Sequence, residues 1–146
     1  MPNIRKGMTP EEIKRFIFAG KASITVWSPQ SDYNVVYRII HPKDSKGIWF
    51  VNINTAELPK TRWRYVGYIS NHSPHILIHT NKSKFKQSDK EWYIFVWLLR
   101  LAYGIYGPLP RIEIRHNGFC GRCGRHLIDD KSVDRGFGPI CWKRVW

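Results

Sequence analysis

His116-Asn117-Gly118-Phe119-Cys120-Gly121-Arg122-Cys123-Gly124-Arg125-His126-Leu127, closed by Gly136-Phe137-Gly138-Pro139-Ile140-Cys141, decides how the last quarter of this chain folds. Two cysteines stand two residues apart, and each is followed by glycine. Glycine lets the backbone turn tightly, so both sulfurs and the nearby amides can point at one ion. The third cysteine follows a Gly-Pro step, and proline is at home in the first turn of a helix. The pattern predicts a zinc knuckle plus a ligand from a helix start, a treble-clef-like module. Zinc takes four nitrogen or sulfur donors at about 2.0–2.3 Å in a tetrahedron. Cys120, Cys123 and Cys141 supply three. His116, one strand-end ahead of the knuckle, and His126, three residues past Cys123, can each supply the fourth. A site closed by four protein donors would hold one structural Zn2+. The alternative is three free thiols in a small core. Residues 116–146 hold too few large apolar groups to fold alone, so metal binding would supply their folding energy.

Working outward, Thr9-Pro10-Glu11-Glu12 reads as a helix start, with Thr9 as N-cap and Glu12 completing a capping box. Ile13, Phe16 and Ile17 then share one face, and Gly20 ends the run. Residues 22–80 change to short segments rich in Val, Ile, Tyr and Trp, over 23–28, 33–41, 48–54, 62–70 and 75–80. Short turns between them predict antiparallel pairing, in a meander or small curled sheet. Ser88 and Glu91 suggest a second capping box, opening a helix to about Tyr103. Its stripe of Trp92, Phe95, Val96, Leu99 and Tyr103 is widened by Trp97, Leu98 and Leu101, so the helix is expected against the sheet. A last strand over 111–115 leads to the cysteines. The expected fold is α+β: an antiparallel sheet packed on one or two helices (1–110), followed by the zinc-binding module (111–146).

A chain of 146 residues, 42% hydrophobic and 14% aromatic, can bury a real core, which excludes general disorder. No run of about 18 apolar residues is present, and no apolar stretch follows the charges of residues 1–6, so neither a membrane span nor a secretory leader is expected. Three cysteines cannot all pair within one chain. Reduced thiols holding an ion, in a cytoplasmic setting, fit better than disulfides. The 24 basic and 11 acidic side chains give a net charge of +13, and every quarter of the chain contributes to it. Such a field draws polyanions, and release of their counterions supplies affinity without sequence reading.

The order Cys120-Gly-Arg-Cys123-Gly-Arg125-x-Leu127, then Ser132-Val133, then Gly136-x-Gly138-Pro139-x-Cys141, resembles a zinc-type domain of unknown function found often in phage proteins. Ile128 and His126 depart from that pattern, where Thr, and Lys or Pro, are usual. The resemblance implies metal binding and a viral or prophage origin, hence the cytoplasm of a host cell. It also points to His116 as the fourth ligand, because a histidine often stands four residues before the first cysteine. It implies no activity.

Candidate phosphate contacts are Arg62, Arg64, Lys82, Lys84, Lys86, Arg122, Arg125, Lys143 and Arg144. In an extended segment Arg62 and Arg64 share one side while Trp63 and Tyr65 share the other. The plainer reading puts those aromatics in the core and the charges in solvent. His41, His72, His75 and His79 are scattered, and no Ser-His-Asp spacing, Walker-type loop or paired carboxylate is present, so no enzyme and no small-molecule substrate is expected. Two functions follow. One is a phage-encoded nucleic-acid-binding module. The other is a phage effector that binds a host protein or nucleoprotein and inhibits a defence complex.

Overall fold

The computed structural model describes residues 8–28, 33–44, 46–55, 63–105 and 112–145. Helix α1 (Pro10–Ile17) opens as the sequence predicts. The Thr9 hydroxyl accepts from the Glu12 amide at 3.3 Å, and the Glu12 carboxylate accepts from the Thr9 amide at 2.8 Å. A cap of this kind stabilises a helix by about 1 kcal/mol. Five strands follow: β1 (Lys21–Ser28), β2 (Tyr33–Ile40), β3 (Ile48–Thr55), β4 (Arg64–Ser70) and β5 (Ser73–Ile78). Then come α2 (Lys90–Ala102), β6 (Glu113–His116) and two short helices, α3 (Asp130–Arg135) and α4 (Pro139–Arg144).

The strands form one antiparallel sheet in the order β5-β4-β3-β2-β1-β6. The first five are the expected meander. β6 joins the far edge beside β1, so the chain after β5 must cross the whole sheet. α2 makes that crossing on the inner face, where the Tyr37 hydroxyl donates to the Glu91 carbonyl at 2.8 Å and the Tyr37 ring meets Phe95 at 4.9 Å. Alternation along each strand sends Ala22, Ile24, Val26, Val35, Tyr37, Ile39, Val51 and Ile53 into that core. α2 begins one residue later than expected. Asp89 is its N-cap, without a side-chain cap bond, because its carboxylate accepts from the Lys86 amide at 2.8 Å instead. The Ser88–Glu91 capping box therefore does not form.

Residues 112–145, within the segment 111–146 expected as an appended module, contribute to this core. β6 lies in the common sheet, and Cys120, Leu127, Val133 and Phe137 belong to the same buried cluster as Ile13 and Phe16. Phe16 packs at the junction of the two parts. Its ring stands 5.7 Å from both His116 and Phe137.

Candidate functional site

The knuckle is built from backbone bonds before any ion is considered. Phe119 and His126 form an antiparallel bridge. The Cys120 amide donates to the Arg125 carbonyl, the Gly124 amide to Cys120, and the Leu127 amide to Gly118, each at 2.8 Å. Gly124 turns the loop with φ 80°, which only glycine adopts without strain. Gly121 serves otherwise. A Cβ there would stand 2.7 Å from the Phe16 ring, so the loop sits against α1 only because no side chain intervenes. The Lys21 amide donates to the Gly121 carbonyl at 2.7 Å, which ties the knuckle to β1. Asp129 caps α3 through the Ser132 amide, and the left-handed Gly136 ends it. Gly138 and Pro139 then start α4, whose third residue is Cys141.

These turns bring the Cys120, Cys123 and Cys141 sulfurs within 4.8 Å of one another. Three sulfurs this close could hold one metal ion. All three are free thiols, with Cys120 and Cys141 buried and Cys123 exposed. Burial alone would raise the Cys120 thiol. The amides of Cys123, Gly138 and Arg122 outweigh it, and the thiol falls below its ordinary value. Backbone amides that stabilise the thiolate favour the form of the sulfur that ligates a metal ion. Burial holds Cys141 above its ordinary value, while the Arg122 guanidinium, 3.6 Å from its sulfur, pulls the other way.

His116, expected as the fourth donor, is not brought to the thiols. It points from β6 into the core, where its Nε2 donates to the Val133 carbonyl and its Nδ1 accepts from the Gly118 amide. Those partners fix the neutral tautomer with the proton on Nε2. Burial pushes its pKa down, against the Val133 carbonyl and the Glu12 and Asp134 carboxylates. With both nitrogens engaged, the ring acts as a buried polar strut. The other histidine, His126, is exposed and lines a cavity of about 360 Å³ with the three cysteines. Asp129, which sequence reasoning missed, lines that cavity too; its signal was the Asp that starts a helix beside the motif.

The expected phosphate contacts fall in separate places. Arg122 and Arg144 line a cleft of about 860 Å³ with Lys14 and Arg15 of α1, at the joint between α1 and the knuckle. Lys14 and Arg15 carried a signal, since both lie off the apolar face made by Ile13, Phe16 and Ile17. Lys82 and Lys84 stand on an exposed turn beside the sheet, and Lys86 is exposed nearby. Arg125 lines the thiol cavity, and Lys143 is exposed on α4. Arg62 lies outside the described residues.

Arg64 and Tyr65 reverse the plainer reading of their segment. A β-bulge between β3 and β4 pairs Val51 with Gly67 and Asn52 with Tyr65, leaving Val66 as an extra, buried residue. Arg64 therefore pairs with core-facing Ile53, its guanidinium 4.7 Å from the Phe85 ring. Tyr65 comes out beside Asn52 on the opposite face.

Fold and site together define a mixed α/β protein with a curled antiparallel sheet and a three-cysteine cluster near its C-terminus. A family model described as a family of unknown function (DUF6011) matches residues 113–145, from β6 through α4. No curated protein and no solved structure matches the chain. Among the described residues no helix is long and apolar enough to cross a membrane.

Proposed function

We propose that this chain is a nucleic-acid-binding protein, phage- or prophage-encoded, whose treble-clef-like C-terminal segment is organised by one structural zinc ion. Cys120, Cys123 and Cys141 would hold the ion, and the fourth donor would come from the cavity side, where His126 and Asp129 stand. Thiolate-rich donor sets are those of structural zinc sites. The ion would fix the knuckle against α1 and so fix Arg122 and Arg144 relative to Lys14 and Arg15.

The observation that carries the reading is that cleft. Among the described residues, four cations from three separated stretches of sequence line it, against one carboxylate, Glu11. Phosphates suit such a convergence of guanidinium and ammonium groups. About four phosphate contacts predict a duplex binding constant that falls by on the order of 100-fold between 50 and 200 mM salt. Fluorescence anisotropy with short labelled single strands and duplexes over a salt series tests this. Micromolar binding that weakens steeply with salt, and drops further in Lys14→Glu/Arg144→Glu, supports the reading; no binding at low salt ends it. The second reading, an effector against a host protein or nucleoprotein, has one observation in its favour. Ile128 and Ile140 are 85% and 68% exposed and both line the thiol cavity.

A further inference from the structure

One face of the sheet carries the whole core, and no described helix covers the other. Strand alternation and register fix what that open face displays. Ser23, Arg38, Asn52 and Tyr65 form one row across β1 to β4. Ile40, Phe50 and Tyr68 form the next. Between these rows and the 81–84 turn lies a basin of about 780 Å³. That volume is within the range, about 300–1,000 Å³, of clefts that hold small ligands.

The lining of the basin is chemically selective. Its cations are Arg38, Lys82 and Lys84, and among the described residues no carboxylate accompanies them. Its rings are Phe50, 36% exposed, and Tyr65, with centroids 6.1 Å apart at 62°. Asn52 and Asn81 add side-chain amides. The pieces are held in place. The Arg38 guanidinium lies 4.4 Å from the Trp63 ring, and its Nε has no hydrogen-bond partner among the described residues. The Lys84 amide donates to the Tyr65 carbonyl at 2.9 Å, and the Thr80 amide to the Ser83 hydroxyl at 3.0 Å, so the lysine turn is fastened to the rim.

We infer that this basin binds an unpaired stretch of nucleic acid, with a base on Phe50 and Tyr65 and the flanking phosphates on Arg38, Lys82 and Lys84. The inference rests on the nucleic-acid reading above, and adds a second surface and the form of the strand. A duplex presents phosphates but keeps its base faces stacked, which leaves the two rings and two amides without a role. An acidic peptide would satisfy the cations alone. An unpaired nucleotide uses all three kinds of group, since every base offers a flat face for stacking and polar edges for amides.

The test uses the full, zinc-loaded chain with labelled oligothymidylate, oligouridylate and a duplex of equal length. Both single strands should bind more tightly than the duplex. Phe50→Ala removes an exposed ring and should weaken strand binding about 5- to 150-fold while leaving duplex binding unchanged. Lys82→Ala/Lys84→Ala should flatten the salt dependence by about 0.7 logarithmic units per lost phosphate contact. Strand binding that survives Phe50→Ala, preference for the duplex, or equal competition by polyglutamate would each overturn the inference. If Lys14→Glu/Arg144→Glu still weakens binding in that case, the nucleic-acid reading stands on the cleft alone. If the wild type binds no oligonucleotide at low salt, both fall.

Discussion

Gly121→Ala should damage the joint between α1 and the knuckle through one methyl group. The added Cβ would stand 2.7 Å from two atoms of the Phe16 ring and 3.2 Å from Phe137. Neither ring can swing clear, because Phe16 is 0% and Phe137 1% exposed. Overpacking of this kind costs about 1–3 kcal/mol, or roughly 3–12 °C in Tm for a chain of this length. Backbone strain adds little, since Gly121 is not among the described glycines with positive φ. The steric origin is checked by a double-mutant cycle with Phe16→Leu, which removes the obstructing ring edge. Thermal melts of the zinc-loaded proteins should show Gly121→Ala costing less in the Phe16→Leu background, with a coupling of at least about 0.5 kcal/mol. An unchanged Tm for Gly121→Ala, or the same loss in both backgrounds, would refute the reasoning.

Cys123→Ser should lower bound zinc well below one per chain and unfold residues 117–145 while strands β1 to β5 persist; elemental analysis with hydrogen exchange reads both, and full zinc content in the variant would count against the site. His116→Gln should keep the metal, because His116 does not join the thiols, so cobalt-substituted protein should show unchanged thiolate-to-metal absorption. The same variant tests a pH effect. Burial depresses His116 in the folded chain, so the unfolded chain binds a proton that the folded chain does not. Stability is therefore retained at neutral pH and lost as pH falls below about 6.5, by at most about 1.4 kcal/mol per pH unit. Denaturant melts of wild type and His116→Gln between pH 5 and 7 should diverge in that window; parallel curves would show that the buried ring does not titrate on unfolding.

The α1 capping box, the five-strand meander and the three-cysteine group were legible because each is written locally. Spacing, alternation and glycine placement act within a few residues of one another. Even Arg38 was legible in principle, since it alternates with Tyr37 and Ile39 and must face away from the core that they fill. His116 was misleading for a local reason as well. Four residues before Cys120 it has the right spacing for a ligand, but whether its ring meets sulfur or the Val133 carbonyl depends on where α3 packs.

By itself, the sequence determined the secondary elements, the thiol trio and the unbroken positive charge, because these follow from residue type and short-range spacing. Tertiary structure decided that β6 closes the sheet beside β1, which buries the knuckle against Phe16. It also decided, through one bulged residue, that Tyr65 joins Phe50 and Arg38 on the open face. Register and edge order arise from contacts between residues dozens of positions apart. No local pattern encodes those contacts, so only packing of the whole core could settle them.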